Sequence, residues 1–311
     1  MEETELGQLY ALARDAAHPA DAPARPCPCP VGLLADRDDG TVVRHGDLVL
    51  KAHAPDGAPG ELRSRVEVAA APGLRTVLLA PLPRPRRELA GRPLTAWPYG
   101  VPVDPDAPDA APWEEAAGLL AALHRTPPPP GLPPMRAPVK AALAVERMRR
   151  VAPDHPGTAT VLRAWRTLPD PPDPSRPDGP ALCHGDFHLG QLVRAPHWRL
   201  IDVDDLGAGD PAWDLARPAA WFAAGLLAPE VWARFLGAYE AAGGPATAGT
   251  GGDPWARLDV PARALTVQTA ALALAKSTAE GRALDEVEHV MIDTCARIAS
   301  LRTELAPPAS T

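Results

Sequence analysis

Two short segments of this 311-residue chain carry the residue types and the spacing of a reaction centre. The first is HGDFHLGQ at 184–191, and the second is LIDVDD, in which Asp202 follows Gln191 by eleven residues. Asp186 can accept the proton of an attacking hydroxyl, and Gln191 and Asp202 offer the oxygen ligands that Mg²⁺ prefers. Phosphoryl transfer needs in-line positioning and charge neutralisation more than covalent chemistry. One base and two metal ligands therefore predict phosphoryl transfer from a nucleotide.

These segments also carry a family resemblance. HGDFHLGQ resembles the catalytic loop HGDxxxxN of the aminoglycoside phosphotransferase and choline kinase family, and LIDVDD followed by GDPAWDLA resembles that family's metal-binding segment and its continuation. The resemblance implies a catalytic role for Asp186, a metal role for Asp202 and a structural role for Asp214 in support of the loop. Gln191 stands where the family usually has Asn, in an HLGQ form similar to maltokinase-like members. Glutamine is one methylene longer, so it is expected to ligate the metal from a shifted position or through water.

The resemblance further implies an α+β fold of the bilobal, protein-kinase-like kind, with a small β-rich N-terminal lobe and a larger, mainly helical C-terminal lobe. A chain of this length can bury the cores of one or two domains. The predicted divisions are a nucleotide-binding lobe at 1–100 that ends in a hinge at 97–100, a helical lobe at 101–303 and a flexible tail at 304–311. The helical lobe would contain the catalytic loop at 184–191 and the metal segment at 201–205.

Hydrophobic periodicity and turn signals predict the elements of both lobes. Asp38-Asp39-Gly40 is typical of a hairpin turn between the first two strands. The predicted strands are at 31–34, 41–44, 48–53, 75–79, 94–98, 191–194 and 198–203. The predicted helices are at 2–18, 60–71, 113–125, 137–152, 157–167, 212–226, 229–242, 256–280 and 284–303.

The nucleotide side of such a site needs a lysine on the third strand, where its ammonium neutralises phosphate charge. Lys51, in the apolar run DLVLKAHAP, is the only lysine of the first 139 residues and is the candidate; the alternative is a surface lysine on a strand edge. In the family an acid on the next helix orients this lysine, and Glu67 is favoured over Glu61. The WPYG turn falls where the hinge passes the adenine, so Trp97 and Tyr99 are predicted at the nucleotide or in a purely structural turn.

Acids that follow the metal aspartate are candidates for contacts to the phosphate acceptor. Asp204 and Asp205 can accept hydrogen bonds from a substrate, or cap a turn. His184 is predicted to anchor the backbone of the catalytic loop, and His188 to pack the loop or to approach the phosphate, with packing favoured. In aminoglycoside kinases late helices supply carboxylates for a cationic acceptor, although acids at helix starts are common for dipole reasons alone. The acids placed for that role are Glu280, Asp285, Glu286 and Glu288.

Composition disfavours several other classes of protein. The formal net charge is −8 and no large basic cluster is present, which argues against nucleic-acid binding. No run reaches the roughly 18 apolar residues of a membrane span. The start MEETELGQ lacks the apolar core of a signal peptide, so the expected location is the cytoplasm.

The four cysteines predict neither a disulfide framework nor a zinc site. Cys27-Pro28-Cys29 is too tight for an ordinary disulfide, and no second pair and no histidine cluster completes a zinc site in the sequence. Cys27, Cys29, Cys183 and Cys295 are therefore expected to be reduced thiols.

The predicted activity is that of a small-molecule kinase that uses ATP and Mg²⁺ to phosphorylate a hydroxyl. The acceptor is an aminoglycoside-like compound, an amino alcohol or a sugar, because likeness of fold does not select among them. The alternatives are a maltokinase-like sugar kinase and a non-catalytic nucleotide-binding pseudokinase. Gln191 and the lack of a GxGxxG loop would favour the pseudokinase. The preference for ATP over GTP and the oligomeric state are left open.

Overall fold

The structure of the chain is a computed structural model. It describes residues 3–18, 27–37, 39–55, 58–83, 88–107, 110–169 and 179–305. The chain divides into unit 1, which comprises Met1–Ala111 and Leu189–Asp204, and unit 2, which comprises Pro112–His188 and Asp205–Thr311. Unit 1 contains the β-sheet and unit 2 is mainly helical, so the predicted α+β class with a β-rich N-terminal part is confirmed.

The core of unit 1 is an antiparallel sheet covered by one helix. Its five strands lie in the order β1, β2, β3, β5, β4. The strands are β1 (Val31–Arg37), β2 (Gly40–His45), β3 (Leu48–His53), β4 (Glu88–Leu89) and β5 (Arg92–Pro98). Helix α1 (Glu3–Ala17) packs on β2 and β3 through Leu9 and Ala13, which are fully buried. Of the predicted hairpin turn, Asp38 lies outside the described residues and Gly40 begins β2.

Strand β3 shows the period of two that a strand with one covered face requires. Leu48, Leu50 and Ala52 belong to the hydrophobic core, whereas Lys51 lies on the other face. The register pairs Lys51 with Val42 of β2 and with Thr95 of β5. Lys51 therefore occupies an inner strand of the sheet, which rules out the alternative of a lysine on a strand edge.

A second, three-stranded sheet of unit 1 carries the metal segment. It consists of β6 (Val101–Pro102), β8 (Leu192–Arg194) and β9 (Trp198–Leu200), in that order. The prediction of a strand at 75–79 is wrong: a short 3-10 helix at Pro72–Leu74 precedes a turn, and only Leu78 bridges to Leu200. The apolar residues there imitate a strand because they are buried, not because the backbone pairs along its length.

Unit 2 is a group of helices packed around one long central helix. Its helices are α3 (Trp113–His124), α4 (Ala137–Val151), α5 (Thr158–Trp165), α6 (Ala212–Ala224), α7 (Pro229–Ala241), α8 (Trp255–Glu280) and α9 (Glu286–Leu305). Four of them, α4, α5, α6 and α9, contact α8, so α8 is buried on several sides. The seven helices predicted for this region are confirmed, with ends that differ by at most two residues.

Unit 2 also has two short strands, β7 (Ala181–Cys183) and β10 (Gly207–Gly209), which pair antiparallel with each other. In the sequence, β7 precedes the catalytic loop and β10 follows the metal segment. Among the described residues, no helix combines the length and the apolar character that a membrane span needs.

Candidate active site

Unit 1 brings Lys51 together with two of the predicted acids. The Nζ atom of Lys51 lies 2.7 Å from Oδ1 of Asp202 and 3.0 Å from Oδ2 of Asp204. Burial acts to lower the pKa of Lys51, but the two carboxylates outweigh it and hold the pKa above its usual value. The lysine therefore stays protonated, and its charge is shared between two carboxylates.

Asp202 occupies a constrained backbone position directly after β9. Its φ is +60°, in the left-handed region that residues other than glycine rarely adopt. Such a position costs about 1–2 kcal/mol, and it turns the chain away from the extended conformation, so the predicted strand at 198–203 ends at Leu200. Across the β8–β9 hairpin, the carbonyl of Gln191 accepts a hydrogen bond from the N–H of Ile201 at 2.9 Å. The hairpin register therefore brings the two predicted metal ligands to the same end of the hairpin.

A chain of hydrogen bonds runs from Asp204 into the five-stranded sheet. Asp204 Oδ2 lies 2.9 Å from His53 Nδ1, and His53 Nε2 lies 2.7 Å from Thr95 Oγ1. The indole N–H of Trp97 donates to the same hydroxyl at 2.8 Å. Burial acts to raise the pKa of Asp204, but Lys51 and His53 outweigh it and hold the pKa below its usual range. Asp204 is thus bound within unit 1, and Trp97 is a buried, hydrogen-bonded member of the sheet.

The predicted hinge at 97–100 has close contacts of its own. The guanidinium carbon of Arg44 lies 3.3 Å from the centroid of the Tyr99 ring, which is a cation–π geometry. The N–H of Tyr99 donates to the carbonyl of Asp47 at 2.7 Å. A Cβ atom at Gly100 would lie 2.6 Å from Cγ2 of Val193, so only glycine fits without a shift of the backbone. These contacts hold the segment against β2, the turn between β2 and β3, and β8.

The helix after β3 does not supply a partner for Lys51 among the described contacts. In α2 (Pro59–Ala70), Glu67 is exposed, and Glu61 pairs with Arg65 at 3.0 Å, one helical turn away. The charge partners of Lys51 are the two aspartates of the metal segment instead. The structure therefore does not bring the predicted Glu67 to the lysine.

In unit 2, cations hold both carboxylate oxygens of Asp186. Lys140 Nζ of α4 lies 2.8 Å from Oδ2, and Arg217 Nη2 of α6 lies 2.9 Å from Oδ1. Lys140 also lies 2.7 Å from Oδ2 of Asp205 and so links the two acids. Burial acts to raise the pKa of Asp186, but Lys140 and Arg217 outweigh it and hold the pKa below its usual value. Asp186 is therefore ionised at neutral pH, and its orientation is set by two side chains.

The carboxylate of Asp214 binds the backbone of the catalytic loop. Its Oδ2 accepts from the N–H of His184 at 2.6 Å, and its Oδ1 accepts from the N–H of Gly185 at 2.7 Å. His124 Nε2 lies 2.9 Å from Oδ2, and His124 Nδ1 lies 2.8 Å from the hydroxyl of Tyr239. Burial acts to raise the pKa of Asp214, but the His124 hydrogen bond and charge outweigh it and lower the pKa. A fully buried carboxylate thus holds two successive backbone donors of the loop.

Gly185 is required by the backbone at the centre of the loop. Its φ is +82°, and a Cβ atom there would collide with the backbone carbonyl oxygen of Asp205. The neighbouring Phe187 is buried and stacks on Phe235, with ring centroids 6.0 Å apart. His184 is fully buried, while His188 is half-buried. The loop is therefore held by close packing on both sides of Asp186.

Most of the acids at 280–288, which were candidates for acceptor contacts, make local contacts around the start of α9. The N–H of Asp285 donates to Glu288 and the N–H of Glu288 donates to Asp285, at 2.9 and 2.8 Å, which is a reciprocal capping arrangement at the start of α9. Arg282 binds both Glu288 and Glu280, and these contacts lower the pKa of Glu288 to about 2. Three of the four acids are thus occupied by this local network.

A small pocket of unit 2 opens at Asp186. It is lined by Lys140, Phe187, Trp213, Arg217 and Gln268, among others. Within the part of the chain that the structure describes, Gln268 Oε1 and Arg217 Nε are buried without a hydrogen-bond partner. Buried polar atoms are almost always paired in proteins. A bound molecule that reached these two atoms would supply the missing hydrogen-bond partners.

Sequence reasoning missed the side chains that hold the predicted acids. They are His53, His124, Lys140 and Arg217, and Gln268 of the pocket was missed as well. Lys140 carried the one available signal, because it is one of only three lysines in the chain and begins an amphipathic helix. The others are ordinary residues of apolar segments, and no local pattern distinguishes them.

Comparison with known proteins assigns the family. The family model described as "Phosphotransferase enzyme family" matches residues 33–258, which includes the catalytic loop, the metal segment and Lys51. The chain belongs to this family. A search of curated protein sequences returned no match. The predicted family resemblance is thereby confirmed, whereas the maltokinase-like form of the loop stays a prediction.

Solved structures of phosphotransferases share the fold. A choline/ethanolamine kinase family protein from Mesorhizobium loti is 17% identical with a TM-score of 0.55, over 98% of this chain and 96% of that chain. The choline kinase LicA from Streptococcus pneumoniae is 12% identical with a TM-score of 0.58, over 88% and 94%. Spectinomycin phosphotransferase APH(9)-Ia, in complex with ADP and spectinomycin, is 13% identical with a TM-score of 0.56, over 89% and 93%. At these identities the likeness concerns the fold, which is that of kinases for small molecules.

Proposed function

We propose that this phosphotransferase family member is a small-molecule kinase, which transfers the γ-phosphoryl group of ATP to a hydroxyl of an acceptor. The observation that carries the proposal is the contact of Lys51 with Asp202 at 2.7 Å within unit 1. Lys51 is the phosphate-binding lysine that the sequence predicts, and Asp202 is the predicted metal aspartate. The spectinomycin phosphotransferase of the same fold binds ADP, which supports an adenine nucleotide here.

The residues of the metal segment fit a magnesium ion. Asp202 is about one-third exposed, with a side-chain exposure of 35%, so its second oxygen has room for a hydrated ion. Gln191 and Asp202 lie at the same end of the β8–β9 hairpin, and we assign both as ligands, Gln191 directly or through water. When bound, Mg²⁺ would neutralise charge on the β- and γ-phosphate oxygens. Lys51 would then contact the phosphates, since its ammonium is already ordered by two carboxylates.

Asp186 would orient the acceptor and receive its proton. In the reaction the acceptor hydroxyl oxygen bonds to the γ-phosphorus, and the bond from that phosphorus to the β–γ bridging oxygen breaks. ADP leaves with the electron pair, and the hydroxyl proton passes to Asp186. Each oxygen of Asp186 already accepts one hydrogen bond, from Lys140 or from Arg217, and keeps a second lone pair for the acceptor. Asp214 would keep the loop in place through the backbone of His184 and Gly185.

The charges in unit 2 favour a neutral or weakly charged acceptor over a polycation. A polycationic aminoglycoside would need several free carboxylates near Asp186. Asp205 is already paired with Lys140, and Glu280 and Glu288 are paired with Arg282. The pocket at Asp186 instead offers Lys140, Arg217 and the unpaired amide oxygen of Gln268. These groups suit the hydroxyls of a sugar or of an amino alcohol.

Calorimetry of Mg·ATP on the wild type and on Asp202→Ala tests the nucleotide half of the proposal. We expect binding that needs magnesium in the wild type and an affinity at least about tenfold lower in Asp202→Ala, because loss of even indirect metal partners costs about that much. The matched control is Asp15→Ala, an exposed aspartate of α1 in the same unit, which should bind like the wild type. Equal affinity of wild type and Asp202→Ala would refute the metal role.

A mass-spectrometric acceptor screen tests the other half. Polycationic aminoglycosides, amino alcohols and neutral sugars are each incubated with Mg·ATP, and the phosphorylated product is measured. We expect turnover with a sugar or an amino alcohol. The highest kcat/KM on a polycation would contradict the charge argument, and nucleotide binding without turnover of any acceptor would favour a pseudokinase.

A further inference from the structure

Four side chains of metal-binding types in unit 1, none of them assigned to the reaction, converge at the end of α1. They are His18, Cys27, Cys29 and His45, and their ligand atoms all lie within 4.8 Å of one another. The two Nε2 atoms are 3.1 Å apart, Cys27 Sγ is 3.1 Å from His45 Nε2, and Cys29 Sγ is 3.7 Å from His18 Nε2. His45 is buried and the other three are half-buried.

The fold, and not sequence proximity, assembles this group. The β1–β2 register pairs Val31 with His45, so Cys29 reaches the end of β2 two residues before β1 begins. The turn is closed by a hydrogen bond from the N–H of Gly46 to the carbonyl of Pro30 at 2.8 Å. His18 arrives independently, because α1 packs on β2 and β3 and ends beside the sheet. The structure therefore brings two histidines to the cysteine pair, although their spacing in the sequence does not indicate a zinc site.

Hydrogen bonds among the four residues cannot satisfy this arrangement. A ring nitrogen has a single hydrogen or a single lone pair in the ring plane. His45 Nε2 has two partners at 3.1 Å, His18 Nε2 and Cys27 Sγ, so one of the two contacts lacks a hydrogen bond. A cation at the centre of the group would accept all four lone pairs at once.

Three of the six distances between the ligand atoms lie within about 0.5 Å of the edges of a tetrahedral zinc site. Zn–N bonds of about 2.0–2.1 Å and Zn–S bonds of about 2.3 Å give tetrahedral edges of about 3.3 Å for N···N and about 3.6 Å for N···S. The observed separations are 3.1 Å for N···N and 3.1 and 3.7 Å for N···S. Two thiolates would also neutralise the charge of the ion. We propose that His18, Cys27, Cys29 and His45 bind one structural Zn²⁺ ion.

Such a site is closed, because four protein ligands leave no open position for water or substrate. The ion would fasten the C-terminal end of α1, through His18, to the segment before β1 and to the end of β2. It would therefore stabilise unit 1 without taking part in the reaction. Its presence is independent of the magnesium site, since it shares none of the residues assigned to that site.

Metal analysis of the purified protein tests the proposal directly. The full chain is reconstituted with Zn²⁺, passed over a weak chelator to remove loose metal, and analysed by mass spectrometry for zinc per chain. We expect about one zinc per chain in the wild type and in Asp202→Ala, and almost none in the double variant Cys27→Ser/Cys29→Ser. Cobalt substitution should show the visible bands of tetrahedral Co²⁺ together with thiolate-to-cobalt charge transfer, both lost in the double variant.

Matched controls come from unit 2. Cys295→Ser replaces a buried cysteine of α9, and His289→Ala an exposed histidine of the same helix; both should keep the zinc. If the double variant does not fold, His18→Ala serves instead. It should weaken zinc binding at least about a hundredfold, because the loss of a residue that only hydrogen-bonds to a metal ligand already costs about 10–100-fold in metal affinity. Wild-type protein without chelator-resistant zinc, an octahedral cobalt spectrum, or unchanged zinc in both variants would overturn the proposal.

Discussion

Replacement of Asp214 by asparagine probes the support of the catalytic loop without a change in side-chain size. The carboxylate accepts from the N–H groups of His184 and Gly185 and is bonded to His124. An asparagine keeps one acceptor oxygen and places an NH₂ group against at least one buried donor. The unpaired donor costs about 1–3 kcal/mol, and the lost charge-assisted bonds about 1.5–3 kcal/mol. We expect Asp214→Asn to lower the free energy of unfolding by about 2.5–6 kcal/mol in total.

Thermal and urea unfolding, followed by circular dichroism, measure this effect. At about 2–4 °C per kcal/mol for a unit of this size, the Tm should fall by about 5–24 °C. Asp259→Asn is the matched control, because the half-exposed Asp259 pairs with Arg263 on α8 and such pairs near the surface contribute about 0–1 kcal/mol. We also expect kcat to fall about a hundredfold, since small displacements of a catalytic group have effects of that size.

The stability difference between wild type and Asp214→Asn should also depend on pH. The pKa of Asp214 is lower in the folded chain than in the unfolded chain, so its contribution is complete above the unfolded value of about 3.9 and is lost as the pH falls further. The difference in stability between wild type and Asp214→Asn should therefore be full at pH 7 and shrink below about pH 4. A Tm within about 2 °C of wild type at pH 7, with normal kcat, would refute the support role.

Three further variants test the loop and the pocket. For Asp186→Asn we expect kcat to fall about 10²–10⁴-fold with nucleotide affinity nearly unchanged; nearly full activity would remove the base assignment. Gln268→Leu is assayed with the acceptor that the screen identifies, and we expect the acceptor KM to rise about 5- to 100-fold while the ATP KM stays constant. The control Leu272→Ala on the same helix should leave both KM values unchanged. A constant acceptor KM in Gln268→Leu would contradict a contact between Gln268 and the acceptor. For Gly185→Ala we expect the free energy of unfolding to fall by at least about 1–2 kcal/mol because of the left-handed φ alone. The control Gly118→Ala, in a helix with open space around the glycine, should be neutral or stabilising. Equal stability of the two variants would show that the loop backbone rearranges to accept a side chain at position 185.

The locally encoded parts of this protein could be predicted from its amino-acid sequence. Asp186 and Asp202 are sixteen residues apart, and the hairpin between them follows from two short apolar runs. The helices of unit 2 followed from periodicity, because a helix with one buried face repeats its apolar residues every three or four positions. The failed strand at 75–79 shows the limit of this reasoning, since burial alone produces an apolar run without extended pairing.

The side chains that hold those residues come from distant parts of the chain and meet only in the folded protein. Lys140 is 46 residues from Asp186, and His124 is 90 residues from Asp214. His18 meets His45 across 27 residues, through the packing of a helix on a sheet. No periodic pattern encodes such pairs, because a pattern states which face of a helix is buried and not which polar group it meets. The cations around Asp186 and the four proposed zinc ligands therefore come together only through the packing of the elements.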